Sequence, residues 1–262
     1  PWGRVMKELP TVPNERGATE LGGGDAPPPQ PEVSSPRLMA TLAIAGALAG
    51  LVIVLVFGWA DPQIRAHRAA ALRAAVNDVL GSPATYQALY VTADGLSAQP
   101  PAGADTASAE MVFLGFDAEG EPMGYAVTGA EPGYQDLIHL IFGYDPAEER
   151  LLGMKVLESK ETPGLGDKIF KDAEFVAEFD GAQTPLIGVK ANEGTGDPRE
   201  VDMITGATIS SRTVIGTINH RLESLATPIA AHAASDPAPP EALPDSSAAP
   251  AAALARDGDE GS

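Results

Sequence analysis

The chain has 262 residues, a formal net charge of −19 at pH 7 and no cysteine. The absence of thiols excludes a Cys-ligated iron–sulfur cluster, a thiolate zinc site, a thiol nucleophile and a disulfide framework. The acidic balance argues against nucleic-acid binding, which needs a basic surface. The four histidines are scattered and lack the paired spacing typical of metal ligands, so no metal site is expected.

Both ends of the chain are predicted to be disordered tails. Residues 1–36 and 227–262 are rich in Pro, Gly, Ala and Ser and poor in large apolar side chains. Such segments bury too little apolar surface to offset the entropy that is lost when they become ordered. The sequence between them is long enough for a membrane segment and one compact domain, residues 61–226.

Residues 38–60 are predicted to form a transmembrane helix. The run LMATLAIAGALAGLVIVLVFGWA contains no charged side chain in twenty-three residues. At about 1.5 Å per residue, it crosses the roughly 30 Å hydrocarbon core. Trp59 and Asp61 mark one interface and Arg37 the other. A cleaved signal peptide is the alternative, but the run is long for one and begins after a polar stretch of chain.

The residues near the membrane leave the orientation of this helix open. Arg37 precedes the span, whereas Arg65, Arg68 and Arg73 follow it. By the positive-inside rule, these charges favour a cytoplasmic location for the C-terminal side. The same rule has little weight for large domains, which are translocated regardless of a few charges.

A second helix is predicted after the span. Asp61 and Pro62 suit the N-cap and the first helical position, and Gly81 suits the C-cap. Apolar residues recur between them at near-helical spacing. We therefore expect the anchor to run into a second, amphipathic helix at the membrane surface.

The next part of the chain predicts an antiparallel sheet with few helices. Strands are expected where apolar runs lie between Gly, Pro and Asp turns, at Tyr86–Val91, Met111–Phe116, Met123–Val127, Asp136–Phe142, Leu151–Leu157 and Pro185–Lys190. The segment GYDPAEERLLG predicts a hairpin, and Lys171–Phe179 a short helix. An apolar face from Ile209 to Leu225 predicts a closing helix. The fold class is α+β, with one transmembrane helix followed by one antiparallel-sheet domain.

The sequence TGATISS, at the start of the closing helix, predicts an anion-binding turn. Gly206 and Ala207 leave the backbone open to close approach. The hydroxyls of Thr205, Thr208 and Ser210 lie beside the unpaired amides of the first turn, which favour a phosphate. An ordinary helix start capped by Ser or Thr is the alternative.

The string DMITGAT matches the pattern D-x-x-[ST]-G-A-[ST] of proteins that receive FMN from a flavin transferase. A chance match in a chain of this length is on the order of one in a thousand. In such proteins the final Ser or Thr carries the flavin through its phosphate. The resemblance implies FMN attached covalently, by a phosphoester, to Thr208, with further contacts from Asp202, Thr205, Gly206, Ala207 and Ser210.

Two more segments extend the resemblance to a family. The segment VLESKETPGLGDKIF is similar to the ETPGLG segment of the RnfG subunit of Rnf electron-transport complexes and of the related NqrC subunit of sodium-pumping quinone reductases. The preceding GYQDLIHLIFGYD resembles the same family's lead-in to that segment. The similarity covers residues 38–226, and Asp167-Lys168-Ile169 favours the Rnf type.

By resemblance, the ETPGLG loop packs against the isoalloxazine ring. Contacts with the flavin are then implied for Thr162, Gly164, Leu165 and Gly166, while Lys168 would favour a reduced, anionic flavin. Without the family, ETPGLGDK is a Pro/Gly-rich loop whose spacing is not that of a P-loop. A plain surface turn is the alternative.

The family implies an electron-carrier subunit rather than a stand-alone enzyme. Its complex exchanges electrons between ferredoxin and NAD, coupled to movement of Na⁺ or H⁺, with those two sites on other subunits. The implied partners are those membrane and peripheral subunits and a flavin transferase. The flavin domain is then expected on the periplasmic side of the inner membrane. Alternatives are an NqrC-like subunit, a membrane protein with an empty flavin motif, and a flavin carrier for another electron route.

Overall fold

The computed structural model describes residues 35–100 and 109–240, and these form four helices and eight strands. The helices are α1 (Ser35–Val79), α2 (Lys168–Lys171), α3 (Ala173–Ala177) and α4 (Thr208–Ala233). The strands are β1 (Thr85–Thr92), β2 (Gly95–Ser97), β3 (Met111–Phe116), β4 (Pro122–Pro132), β5 (Leu137–Asp145), β6 (Arg150–Ser159), β7 (Ile187–Lys190) and β8 (Glu200–Met203). The predicted tails fall largely on residues 1–34 and 241–262, which lie outside the described residues.

The chain divides into two compact units, the first ending at Leu55 and the second starting at Val56. The described part of the first unit is the apolar beginning of α1, whose side chains are exposed from Pro36 onward. Among the described helices, α1 is the one long and apolar enough to cross a membrane. Exposed apolar side chains are the composition expected of a lipid-facing helix.

The prediction of a separate helix starting at Asp61 is wrong, because α1 continues through Pro62 to Val79. The Asp61 carboxylate forms an ion pair with Arg65 at 2.9 Å, one turn along the same helix. Proline costs the helix one backbone hydrogen bond, and the bonds around it suffice to keep the helix continuous. The predicted end is confirmed, since Gly81 has φ +71° and the Ser82 amide donates to the Asn77 carbonyl at 2.7 Å.

The last part of α1 packs on the sheet. Its buried residues form one apolar cluster with the facing strands: Leu72, Ala75, Val76, Val79, Leu80, Met111, Phe113, Ala126 and Ile141. Gly143 allows close contact, because a Cβ there would lie 2.2 Å from the Val79 carbonyl oxygen. The helix therefore covers one face of the sheet.

The main sheet is antiparallel, with strand order β2-β1-β3-β4-β5-β6. Every residue of the central strand β3 is buried, so both of its faces are covered. The predicted strands and the β5–β6 hairpin are confirmed, although several strands are longer than expected. The sequence analysis missed β2 and β8, and β8 pairs in parallel with β7. The α+β fold class is confirmed.

Helix α4 covers the other face of the sheet. Val214, Ile218 and Leu225 are buried in a cluster that includes residues of β3, β4 and β5. The helix continues beyond the predicted domain end at Ala226 to Ala233. This corrects the boundary, because Ile229 is fully buried.

Two further contacts explain the boundaries of the helices. The buried Tyr125 hydroxyl is hydrogen-bonded to Nδ1 of His232 at 2.9 Å, which ties the end of α4 to β4. The helix predicted at Lys171–Phe179 is confirmed in a shorter form as α3, and the separate helix α2 precedes it. Asp172 separates them, because its carboxylate caps α3 by accepting from the Glu174 amide at 3.1 Å.

We predict that a chain ending at Ala226 is less stable than one ending at Pro240. Truncation removes Ile229 from the core and leaves the Tyr125 hydroxyl without its partner, which together cost about 3 kcal/mol or more. Urea unfolding followed by circular dichroism measures the difference in detergent. The point variant Ile229→Ala should account for a large share of the loss. Equal midpoints for the two chain lengths would restore the domain end at Ala226.

Candidate functional site

The first turn of α4 has no side-chain cap among the described residues. Its N-cap is Ala207, and the Ala207 amide closes the preceding turn by donating to the Ile204 carbonyl at 3.0 Å. Gly206 occupies the left-handed region, at φ +84°. The first-turn amides, starting at Thr208, are thus left for another acceptor. The alternative of an ordinary helix start capped by Ser or Thr is wrong.

The two serines of this turn are engaged in other contacts. The Ser211 hydroxyl oxygen accepts from the Ile204 amide at 3.2 Å. The Ser210 hydroxyl donates to Oε2 of Glu161 at 2.7 Å. Both serines are buried, whereas Thr208 is half-buried. These contacts hold the turn in place and engage both serine hydroxyls.

A cavity of about 290 Å³ lies against this turn. It is lined by Tyr134, Leu165, Gly166, Gly206, Ala207, Thr208, Ile209 and Ser210. Three of these are large apolar residues with substantial exposure: Tyr134 is 68% exposed, Leu165 49% and Ile209 50%. The structure thus brings the TGAT turn and the PGLG loop together around one apolar cavity.

The shape of the PGLG loop depends on Asp167, which is almost fully buried. Its Oδ1 accepts from the Gly164 amide at 2.7 Å, and its Oδ2 from Nζ of Lys171 at 2.6 Å. The hydrogen bond from Lys171 is the main cause that lowers the pKa of this carboxyl, and the bond from the Gly164 amide adds to it. An ionised Asp167 therefore closes the loop that carries Leu165.

Five of the predicted site residues do not line the cavity: Thr162, Gly164, Lys168, Asp202 and Thr205. The Thr162 hydroxyl donates to the Gln135 side chain at 2.8 Å, and Lys168 begins α2. Asp202 lies in β8, where its carboxylate accepts from the Asn192 amide at 3.3 Å. These contacts shape the surrounding loops.

Sequence reasoning missed Tyr134, Ile209, Glu161 and Asp167. Tyr134 stands in the turn between β4 and β5, in a segment already noted for its family resemblance, where an exposed aromatic side chain has no role in the core. Ile209 was assigned to the apolar face of α4, but it points away from the core. Glu161 is the first residue of the ETPGLG segment. The sequence does not show that its side chain is buried.

Comparison with known proteins finds a family match that includes the cavity residues. Residues 133–223 match the model of the FMN-binding domain. The G subunit of the ion-translocating oxidoreductase complex of Vibrio vulnificus is 31% identical over 70% of this chain and 85% of the relative. Its counterpart from Methanosarcina acetivorans is 25% identical over 71% of this chain and 92% of that protein. The crystal structure of Shewanella oneidensis NqrC aligns with a TM-score of 0.48 and 19% identity, over 59% of this chain and 88% of that one.

The fold and the site define a protein with an FMN-binding domain that follows one long apolar helix. The chain belongs to the RnfG family, the G subunits of ion-translocating oxidoreductase complexes.

The residues of the cavity fit an FMN group. The uncapped amides of α4 suit a phosphate, and exposed apolar side chains beside them suit a planar ring. Among the described residues, no group of three or more His, Asp or Glu could hold a metal ion. The uncapped amides and the apolar wall together match a ligand that carries both a phosphate and a planar ring.

We predict that Gly206→Ala reduces the FMN bound per polypeptide. No atom would lie within 4 Å of the new Cβ, so the effect comes from the left-handed backbone, which costs a non-glycine residue about 1–2 kcal/mol. Gly181→Ala is the matched control, since Gly181 has φ +79° and equal space in a turn away from the cavity. Flavin absorbance and a thermal melt should show a similar stability loss in both variants, with less flavin only in Gly206→Ala. Equal flavin in the two variants would contradict the prediction.

Proposed function

We propose that this protein is an electron-carrier subunit of a membrane ion-translocating oxidoreductase, with FMN attached through a phosphoester to Thr208. The observation that carries the proposal is the cavity, because it joins the TGAT turn to the PGLG loop beside an uncapped helix start. The match to the FMN-binding domain and the similarity to the RnfG relatives support it.

Each part of the cavity has a role in this proposal. The amides of the first turn of α4 bind the phosphate, and the position of Thr208 in that turn brings its hydroxyl to the phosphorus. Tyr134, Leu165 and Ile209 bind the ring and exclude water from one side of it. Bound FMN supplies the redox chemistry, and the chain fixes its place and surroundings. A flavin transferase makes the phosphoester from a flavin dinucleotide: the Thr208 oxygen bonds to the phosphorus next to the flavin, the pyrophosphate P–O bond breaks, and the nucleoside monophosphate leaves with the hydroxyl proton.

The complex in which this chain acts is proposed to exchange electrons between ferredoxin and NAD. The chain has no cysteine to bind an iron–sulfur cluster, so any iron–sulfur clusters of the complex are proposed to lie in other subunits. A carrier with one flavin needs other membrane and peripheral subunits of the complex as its electron donor and acceptor. Lys168, two residues after the cavity residue Gly166, is proposed to favour the reduced flavin by its charge.

The flavin domain is proposed to lie on the periplasmic side of the membrane. The arginines that follow the span favour the opposite orientation, but two of them have structural partners in the domain. Arg65 pairs with Asp61 at 2.9 Å, and Arg68 pairs with Glu158 of β6 at 3.4 Å. These contacts give both arginines a role other than setting topology, which supports the orientation implied by the family.

We predict that Thr208→Val abolishes the FMN that remains on the polypeptide after SDS denaturation, when the chain is made together with a flavin transferase. The substitution keeps the size of the side chain and removes the hydroxyl. Thr227→Val is the matched control, because Thr227 is a threonine of the same helix, remote from the turn. In-gel flavin fluorescence gives the measurement.

Full fluorescence in Thr208→Val would contradict attachment at this residue. Mass spectrometry of the flavin peptide would then show whether Thr205 or Ser210 carries the adduct. A wild-type chain without flavin would identify the motif as an empty one.

We predict that alkaline phosphatase fused after Pro240 is active, and that a fluorescent protein which folds only in the cytoplasm is dark there. The junction follows the end of α4 rather than Ala226, because Ile229 belongs to the core. The same fluorescent protein placed before Pro1 should be bright. The reverse pattern would put the flavin domain in the cytoplasm and require a cytoplasmic flavin transferase.

A further inference from the structure

We propose that Glu161 is the positioning residue of the flavin site: its carboxylate joins the three segments that line the cavity and holds the Thr208 turn in place. The inference rests on the proposed function, to which it adds a residue that does not line the cavity.

The contacts of Glu161 reach two distant parts of the chain. Glu161 follows β6 and is only 5% exposed. Its Oε1 accepts from the Gln135 amide at 2.9 Å and from the Asp136 amide at 3.4 Å. Its Oε2 accepts from the Ser210 hydroxyl at 2.7 Å. One carboxylate thus links the β4–β5 turn, the ETPGLG loop and the first turn of α4.

Each linked segment supplies a wall of the cavity. Tyr134 precedes Gln135 in the β4–β5 turn, Leu165 belongs to the same loop as Glu161, and Thr208 lies two residues before Ser210. If the carboxylate were removed, these walls would lose their common attachment. The Thr162 hydroxyl adds a second link between the ETPGLG loop and the β4–β5 turn, by donating to the Gln135 side chain at 2.8 Å, but Glu161 contacts all three segments.

Two glycines make room for this carboxylate. A Cβ at Gly133 would lie 2.5 Å from Oε1, and a Cβ at Gly166 would lie 2.2 Å from Oε2. Any larger residue at either position would displace the carboxylate from its partners. The glycine of the β4–β5 turn and the second glycine of the PGLG loop are therefore explained by the same side chain.

The carboxylate is in its charged form at neutral pH. Burial raises the pKa of Glu161, but hydrogen bonds from the Gln135 amide, the Ser210 hydroxyl and the neighbouring amides outweigh burial and lower the pKa below its ordinary value. An ionised carboxylate accepts and never donates, so every one of these bonds is charge-assisted. Its removal would leave the buried Ser210 hydroxyl without an acceptor, and the Gln135 and Asp136 amides would lose theirs as well.

The contact with Ser210 also bears on which hydroxyl receives the flavin. The Ser210 proton is donated to Glu161, and the side chain is buried. Thr208 lines the same cavity and is half-buried. By engaging Ser210, Glu161 leaves Thr208 as the hydroxyl that meets the phosphate.

The test uses the full chain with Glu161→Ala and Glu161→Gln, each made with and without a flavin transferase. Glu200 provides matched control variants, Glu200→Ala and Glu200→Gln, because it makes the same kinds of bond away from the cavity. Its Oε2 accepts from the Thr195 amide at 2.6 Å and the Gly196 amide at 3.1 Å, and its Oε1 from the Thr195 hydroxyl at 2.8 Å. Covalent flavin is measured after SDS, and hydrogen exchange is measured on the protein made without transferase.

Glu161→Ala should lower covalent flavin about tenfold or more, because the buried Ser210 hydroxyl and two backbone amides of the β4–β5 turn lose their acceptor. Without flavin, it should speed exchange in residues 133–136 and 211–214, where the amides of α4 first have helical acceptors, while β3 and β4 stay protected. Glu161→Gln should retain most of the flavin, since its amide has the same reach, with an oxygen for the backbone donors and an N–H for the Ser210 oxygen. Glu200→Ala should speed exchange only around residues 194–197 and leave flavin unchanged.

Wild-type flavin loading or unchanged exchange in Glu161→Ala would overturn the proposal, and so would equal losses in Glu161→Ala and Glu161→Gln. If Glu161→Ala does not fold, Ser210→Ala decides the question: it should lower loading and speed exchange at 211–214, and wild-type values would overturn the proposal. A wild-type chain that takes up no flavin would instead contradict the proposed function. The exchange measurements would still decide the role of Glu161.

Discussion

The fold depends on the burial of both faces of the sheet at β3. Met111 and Phe113 face α1, whereas Val112 and Leu114 face the cluster that contains α4. A strand that is apolar on both faces needs a covering layer on each side, and the chain supplies one helix before the sheet and one after it. This packing also fixes the position of the candidate site, because the helix that covers the second face begins with Thr208.

The candidate site depends on the hydrogen bonds that the serine hydroxyls form at the start of α4. A helix start rich in Ser and Thr would ordinarily satisfy its own amides. In this chain Ser210 donates to Glu161 and Ser211 accepts from the Ile204 amide, so neither serine serves as a cap. Ala207 stands at the N-cap, where it offers no side-chain oxygen. The polar groups of this turn thus hold the turn itself, and its amides are left for an anion.

Local patterns in the sequence predicted six of the eight described strands and the turn of α4, because alternation, glycine and short motifs act over a few residues. They failed where distant contacts decide. Asp61-Pro62 reads locally as a helix start, yet packing of the following residues on the sheet keeps α1 continuous. The small residues after Ala226 read as a tail, yet Ile229 and His232 are fixed by β-strand residues far back in the chain. The burial of Glu161 likewise depends on segments that no local pattern connects.

The same distinction bears on how the flavin site arises. The motif DMITGAT is local, but its geometry is not, since Tyr134, Leu165 and Thr208 come from segments separated by long stretches of chain. In an unfolded chain the motif has neither the left-handed Gly206 held in its turn nor an uncapped helix beside an apolar wall. For the proposed phosphoester, the folded domain is therefore the form of the chain in which Thr208 meets the phosphate. Recognition of the motif by a transferase and formation of the cavity are two separate requirements, and the contacts of Glu161 belong to the second.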